Sequence, residues 1–211
     1  HLSGYIQIPR GLQDELLEKA KQADIDYEIE DERQQGRNIN VDFIGELRSE
    51  QDRALKELMK YDNGILHAAT AFGKTVVSSA IIAQKKVNTL IILESSALIE
   101  QWKEALGRFL NIDEELPTYE TKTGRVRKRK SLIGTLQGAH DSMTGIIDIA
   151  MAGSLCKKGK YHKMMNEYGL VLIDECHHSA SETIANVLKE VKAKYVYGVT
   201  ATPKRGDGLE K

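Results

Sequence analysis

Cysteine is scarce in this chain: Cys156 and Cys176 are the only two among 211 residues. Neither a disulfide framework nor a Cys-x-x-Cys zinc site can be built from them, and a reducing, cytoplasmic setting suits such a sequence. Of the histidines, only His177 and His178 lie close together. Long apolar runs are missing as well. The longest, such as Leu90–Leu93, fall far short of the roughly 20 residues that cross a bilayer. The opening His1-Leu2-Ser3-Gly4-Tyr5 has neither the basic start nor the apolar core of a secretory signal, so a membrane-bound or exported protein is not expected. An excess of one charge is also absent, with 30 basic against 31 acidic residues and a formal net charge of −1. That balance gives no argument for a nucleic-acid partner, but its distribution is uneven. Acids dominate from Asp14 to Glu32, whereas Lys122, Arg125, Arg127, Lys128, Arg129 and Lys130 form a run without an acid.

What is present is ordinary globular composition, 41% hydrophobic and 29% charged. The length allows one large domain, or one domain with a small attachment, and needs no staple to hold a core. No repeat or low-complexity tract interrupts it. Residues 1–42 read as a small α+β module. It would comprise a short strand at Tyr5–Ile8, a helix presenting Leu12, Leu16, Leu17 and Ala20, a half-buried strand at Tyr27–Glu30 and a turn at Gln35–Asn38. From Phe43 to Lys211 apolar strands alternate with helices, which predicts an α/β fold with a parallel sheet covered on both faces. Strands are expected at Gly64–Ala68, Thr89–Leu93, Ile146–Ala150, Leu170–Ile173 and Tyr195–Thr200. Helices are expected near Thr75–Ala83, Ser96–Phe109, Tyr161–Asn166 and Ser181–Lys189. The basic, polar stretch 117–145 reads as a hairpin-like excursion from the sheet edge.

Ala68-Ala69-Thr70-Ala71-Phe72-Gly73-Lys74-Thr75 follows a predicted strand and opens a predicted helix. A phosphate loop needs that context, because backbone N–H groups and the helix N-terminus then face the phosphates. Gly73 permits close approach of the backbone, Lys74 would reach the β- and γ-phosphates, and the Thr75 hydroxyl would ligate Mg²⁺. The strict G-x-x-x-x-G-K-[ST] pattern fails at Ala68, and a Gly-Lys-Thr at a helix start also occurs by chance. A second site strengthens the reading. Gly169–Ile173 is a buried-type strand ending in Asp174 and Glu175, which suit the Mg²⁺ shell and the attacking water respectively. The plainer alternative for the two acids is a helix cap.

Together these residues resemble domain 1 of the superfamily 2 helicases and translocases. Ala68, Thr70, Gly73, Lys74 and Thr75 match motif I of that superfamily, A-x-T-G-x-G-K-T, with Ala71 standing where the family has glycine. Asp174-Glu175-Cys176-His177 matches motif II as a DExH box, and Thr200-Ala201-Thr202 matches motif III. Glu94–Trp102 looks like motif Ia, and Leu47–Gln51 resembles the adenine-recognising Q-motif region. The Leu47-Arg48-x-x-Gln51 segment, the Asp174–His178 box and Thr200–Gly208 are most similar to the restriction-enzyme and XPB-type branch of DNA translocases.

The resemblance implies a RecA-like domain that binds ATP and Mg²⁺. Arg48, Gln51, Ala71, Phe72, Gly73, Lys74 and Thr75 would hold the nucleotide. Thr75 and Asp174 would hold Mg²⁺, partly through water. Glu175, Asp174, Lys74 and His177 would serve hydrolysis, His177 linking the nucleotide to motif III. Cys176 is expected to be a packing residue. The resemblance also implies a double-stranded DNA partner touched by Ser95, Ser96 and Ser154, while Arg125, Arg127, Lys128, Arg129 and Lys130 would reach phosphates or merely keep a hairpin solvated. With Lys122 the run holds six charges, which if all engaged would give a salt slope near −5. The N-terminal module is similar to the accessory modules that precede domain 1 in such proteins. A second RecA-like domain, carrying arginines that reach the γ-phosphate, is expected in the full motor. Gln34-Gln35-Gly36-Arg37 superficially matches that arginine pattern but reads as a turn. A non-catalytic nucleic-acid-binding module with the same fold is the alternative, with Ala71 its support, and a small-molecule kinase would leave motifs Ia and III without a role.

Overall fold

Apolar strands alternate with helices in the computed structural model, which describes residues 8, 10–121, 123–157, 159–175 and 182–201. The chain divides into two compact units, His1–Glu32 and Arg33–Lys211. In the first, a 3-10 turn at Arg10–Leu12 leads into helix α1, Gln13–Gln22. Asp14 and Glu15 in its first turn, and Lys19 and Lys21 in its last, oppose the helix dipole. Lys19 also pairs with Glu15 at 2.6 Å, one turn apart. The strand expected at Tyr27–Glu30 is not formed. Tyr27 and Ile29 are exposed, and no neighbouring strand among the described residues takes up the backbone hydrogen bonds of this segment.

The second unit begins with two isolated bridges, Gln34 to Ala193 and Asn38 to Val87. Strand β1 (Val41–Phe43), helix α2 (Ser49–Leu58), strand β2 (Asn63–His67) and helix α3 (Lys74–Lys85) follow. Next come β3 (Thr89–Leu93), α4 (Leu98–Phe109) and β4 (Leu110–Ile112), the last pairing antiparallel with β1. Strands β5 (Thr118–Glu120) and β6 (Val126–Lys128) make a hairpin, followed by β7 (Ile133–Gln137) and β8 (His140–Asp141). The remainder is β9 (Ile147–Met151), a short α5 (Ala152–Leu155), the paired β10 (Cys156–Lys157) and β11 (Lys160–Tyr161), β12 (Leu170–Asp174), α6 (Glu182–Glu190) and β13 (Tyr195–Thr200).

Seven strands form the main sheet in the order β2-β13-β12-β3-β9-β7-β8, parallel throughout except for β8. Both faces are covered. Every residue of β3, Thr-Leu-Ile-Ile-Leu, is buried, and alternate side chains feed opposite cores. Ile91 and Leu93 pack with Val77, Ile81, Trp102 and Leu106 from α3 and α4. Leu90 and Ile92 pack with Leu155, Ile184 and Val187 from α5 and α6. Each such side chain contributes about 1.5–3 kcal/mol on leaving water.

Three local expectations change. Residues 133–137, expected within the excursion, form a strand of the main sheet, because β7 pairs along its length with β9. The helix expected at Tyr161–Asn166 is instead the end of β11 followed by a 3-10 turn at Lys163–Glu167. Helix α2, not predicted, is amphipathic and buries Gln51 and Leu55.

Candidate functional site

The parallel order brings the carboxyl ends of β2, β13, β12, β3 and β9 into one row, the edge where open α/β sheets bind ligands. β2 is followed by a turn and the 3-10 segment Thr70–Phe72, and Gly73 then caps α3. Gly73 has φ +83°, a left-handed conformation that glycine adopts without cost. Its carbonyl accepts the N–H groups of Val76 and Val77 at 3.0 and 3.2 Å. The N–H groups of a helix's first turn have no intrahelical acceptor, so this end of α3 suits an anion. Ala71 is exposed and has no positive φ, so its methyl group costs the loop nothing.

Lys74 is 9% exposed. Its ammonium donates to the Ala68 carbonyl at 3.4 Å and lies 3.9 Å from Glu175 Oε1. Phosphate loop and acidic pair therefore face each other across the β2–β13–β12 end of the sheet. Glu175 has φ +51°, uncommon for a side chain with a Cβ. That turn lets its N–H donate to Asp174 Oδ1 at 2.9 Å, while its Oε2 accepts the Ala201 N–H at 3.5 Å. The second oxygen of Asp174 accepts the indole N–H of Trp102, 2.7 Å away. Burial pushes the Asp174 carboxyl above its usual range, and these two donors oppose that shift.

On α2, both ends of the Gln51 amide are engaged within the protein. Its oxygen accepts the Arg48 N–H at 2.9 Å and its nitrogen donates to the Phe72 carbonyl at 2.7 Å. The Arg48 guanidinium donates to the same carbonyl at 2.5 Å and sits 6.0 Å from the Phe72 ring centre. These two residues thus grip the phosphate loop from behind. As residue types, the Thr75 hydroxyl and the Asp174 carboxylate are hard oxygen donors of the kind that suits Mg²⁺. Among the described residues no group of three or more His, Cys, Asp or Glu could hold a metal alone. His177 and Cys176 lie outside the described residues, as does Thr202.

Ser95 and Ser96 are exposed in the loop after β3. Ser96 and Ser154 line one cleft of about 530 Å³ with Glu94, Gln137, Gly138 and Thr183. Ser154 is less accessible than expected, being 9% exposed with its hydroxyl oxygen accepting the Gly138 N–H at 2.8 Å. Arg125, Arg127, Lys128 and Lys130 are exposed on the β5–β6 hairpin and its exit. Arg129 lies over the Tyr119 ring at 4.3 Å and donates to the Asp141 carbonyl at 3.3 Å. Trp102, the last residue of the stretch that looks like motif Ia and the one tryptophan of the chain, carries no sequence signal for its bond to Asp174. Sequence reasoning overlooked Lys157 and Lys160, which line a neighbouring cleft of about 270 Å³ with Ser154 and His162.

Residues 44–205 match the family described as type III restriction enzyme, res subunit. The DNA 3'-5' translocase XPB2 of Sulfurisphaera tokodaii is 32% identical over 163 residues, which cover 77% of this chain and 32% of that protein. The putative helicase 109L of Invertebrate iridescent virus 3 is 32% identical over 181 residues, 84% of this chain and 51% of that protein. The chain thus spans about a third to a half of these relatives' length. Among solved structures, the UvsW helicase from bacteriophage T4 is similar with a TM-score of 0.63 at 14% identity, covering 92% of this chain and 72% of that one. The Sulfolobus solfataricus SWI2/SNF2 ATPase core in complex with dsDNA gives 0.56 at 16% identity, covering 83% of this chain and 36% of that one. At these identities the likeness is one of fold. With its phosphate loop, acidic pair and strand order, the chain belongs to the type III restriction enzyme res-subunit family, as a RecA-like first domain of the superfamily 2 helicases.

Proposed function

We propose that this chain is the ATP-binding first motor domain of an ATP-dependent DNA helicase or translocase, hydrolysing ATP under DNA stimulation when joined to a second RecA-like domain. One observation carries the reading: the Lys74 ammonium, at the mouth of the phosphate loop, is 3.9 Å from Glu175, which neighbours Asp174 at the end of β12. A bound triphosphate would take Lys74 as counter-charge and the first-turn amides of α3 as donors. Thr75 and Asp174 would hold Mg²⁺, which neutralises charge on the phosphate oxygens. Glu175 would orient the attacking water and accept its proton. Its contact with Ala201 N–H is a route by which the nucleotide's state would be felt at motif III.

The row of carboxyl ends continues to Ser95, Ser96 and Ser154, which would hold a DNA backbone without reading its sequence. The exposed basic hairpin would add phosphate contacts, and double-stranded DNA is the proposed partner. Titration with a fluorescent ATP analogue tests the reading. Affinity is expected to rise on adding Mg²⁺ and to fall roughly ten- to a hundred-fold in Lys74→Ala, the value of a charge-assisted contact of about 1.5–3 kcal/mol. Nucleotide binding that ignores both Mg²⁺ and Lys74 would favour the non-catalytic module instead.

A further inference from the structure

We propose that Trp102 is a positioning residue that aims the Asp174 carboxylate at the magnesium site, and so ties helix α4 to the nucleotide. This rests on the function proposed above. Three observations support it. Trp102 is 1% exposed, and a buried indole N–H, which can only donate, needs an acceptor. The acceptor it has is the charged oxygen Asp174 Oδ2, at 2.7 Å. The other oxygen, Oδ1, is held by the Glu175 N–H at 2.9 Å. Two donors on two different oxygens fix the carboxylate plane and leave a lone pair on each oxygen for a metal or its water. Neighbours of metal ligands act in this way, and their loss costs roughly 10- to 100-fold in metal affinity.

The link has a direction. Trp102 sits one turn into α4, on the buried stripe with Ile99 and Leu106, and the loop that leads into α4 carries Ser95 and Ser96. A DNA backbone pressing on that loop would move α4 against the sheet. Such a movement would be felt at the indole N–H, and through it at Asp174. The alternative is that Trp102 only fills space between α4 and the sheet, with its N–H satisfied by whichever acceptor is nearest.

The test uses the whole 211-residue chain. Trp102→Phe keeps the ring in the core and removes the donor. It is expected to bind a fluorescent ATP analogue in EDTA within about twofold of the parent, yet to need about ten-fold more Mg²⁺ for the metal-dependent gain in affinity. Because the chain has one tryptophan, the unaltered protein supplies a second readout that does not depend on the variant folding. With ADP saturating, adding Mg²⁺ is expected to shift the indole emission, and Asp174→Ala to abolish that shift. An unchanged Mg²⁺ requirement in Trp102→Phe, or an emission blind to Mg²⁺, overturns the inference while leaving the nucleotide site standing. Should the unaltered chain show no Mg²⁺-dependent nucleotide binding, the functional reading and this inference fall together.

Discussion

Gly73 shows how much a single residue decides. Its φ of +83° is left-handed, and a Cβ there would come within 2.6 Å of Gln51 Nε2. Gly73→Ala therefore strains the backbone by about 1–2 kcal/mol and expels the Gln51 amide from its bond to Phe72. A lower urea midpoint at constant m, together with weaker nucleotide binding, is the expected result. Asp148, on β9, is a second case. It is fully buried and accepts hydrogen bonds from Tyr168 Oη at 2.6 Å, from the Thr144 hydroxyl and N–H, and from the Gly145 N–H. Burial nevertheless holds its carboxyl above the usual range. For a carboxylate raised in the folded state, stability falls as pH rises from the unfolded value near 4 through the folded one, and is level above that. Tyr168→Phe removes a donor that favours the ionised form and widens this window. The expected loss is about 1.5–3 kcal/mol at pH 7 and clearly less near pH 4, measured by urea unfolding at both. Equal losses at the two pH values would mean that the hydroxyl does not serve the charged carboxylate.

At the scale of elements, the β5–β6 hairpin separates charge from stability. Arg125, Arg127 and Lys128 are exposed, so replacing each with alanine is expected to change the unfolding free energy by no more than about 0.5 kcal/mol. If the three contact DNA phosphates, the slope of log affinity against log salt becomes less negative by about 2.7, at 0.9 per contact. An unaltered slope would assign the charges to solubility. The long parallel strands were legible because two-sided burial demands an unbroken apolar run: β3 and β13 begin and end where the sequence places them. The approach of the Lys74 segment to Glu175 was legible for a related reason, since a proposed phosphate site asks for particular residue types at fixed offsets. Strand β7 was hidden because Ile-Gly-Thr-Leu-Gln carries no such run. Its strand character comes from pairing with β9, and Gly134 stands where a Cβ would collide with the Asp148 carboxylate and the chain at Ser142 and Met143. The embrace of the phosphate loop by Arg48 and Gln51 was hidden too. Sequence named both residues for the nucleotide, but only the packing of α2 against α3 turns them to the Phe72 carbonyl.

At the scale of the molecule, the proposed nucleotide residues lie along one rim of the sheet, and completing the proposed site falls to a second RecA-like domain. Arginines supplied across such a cleft are worth about 10³–10⁵ in rate. The 211-residue chain alone is therefore expected to release phosphate no faster with double-stranded DNA than its Lys74→Ala form does. Robust DNA-stimulated turnover would show that the second domain is dispensable. The opposite rim is governed by Asn88, which is 3% exposed. Its side-chain oxygen accepts the N–H groups of Arg37 and Gly169 at 3.0 and 3.1 Å, and its nitrogen donates to the carbonyls of Gly145 and Glu167 at 3.3 and 3.1 Å. One amide thus fastens segments drawn from distant parts of the sequence. Such an arrangement has a chemical lifetime as well as a thermodynamic one. Deamidation to aspartate would swap two donors for a negative oxygen aimed at two carbonyls. Ageing at that one nitrogen would unpick the whole seam, while a surface asparagine could suffer the same fate unnoticed.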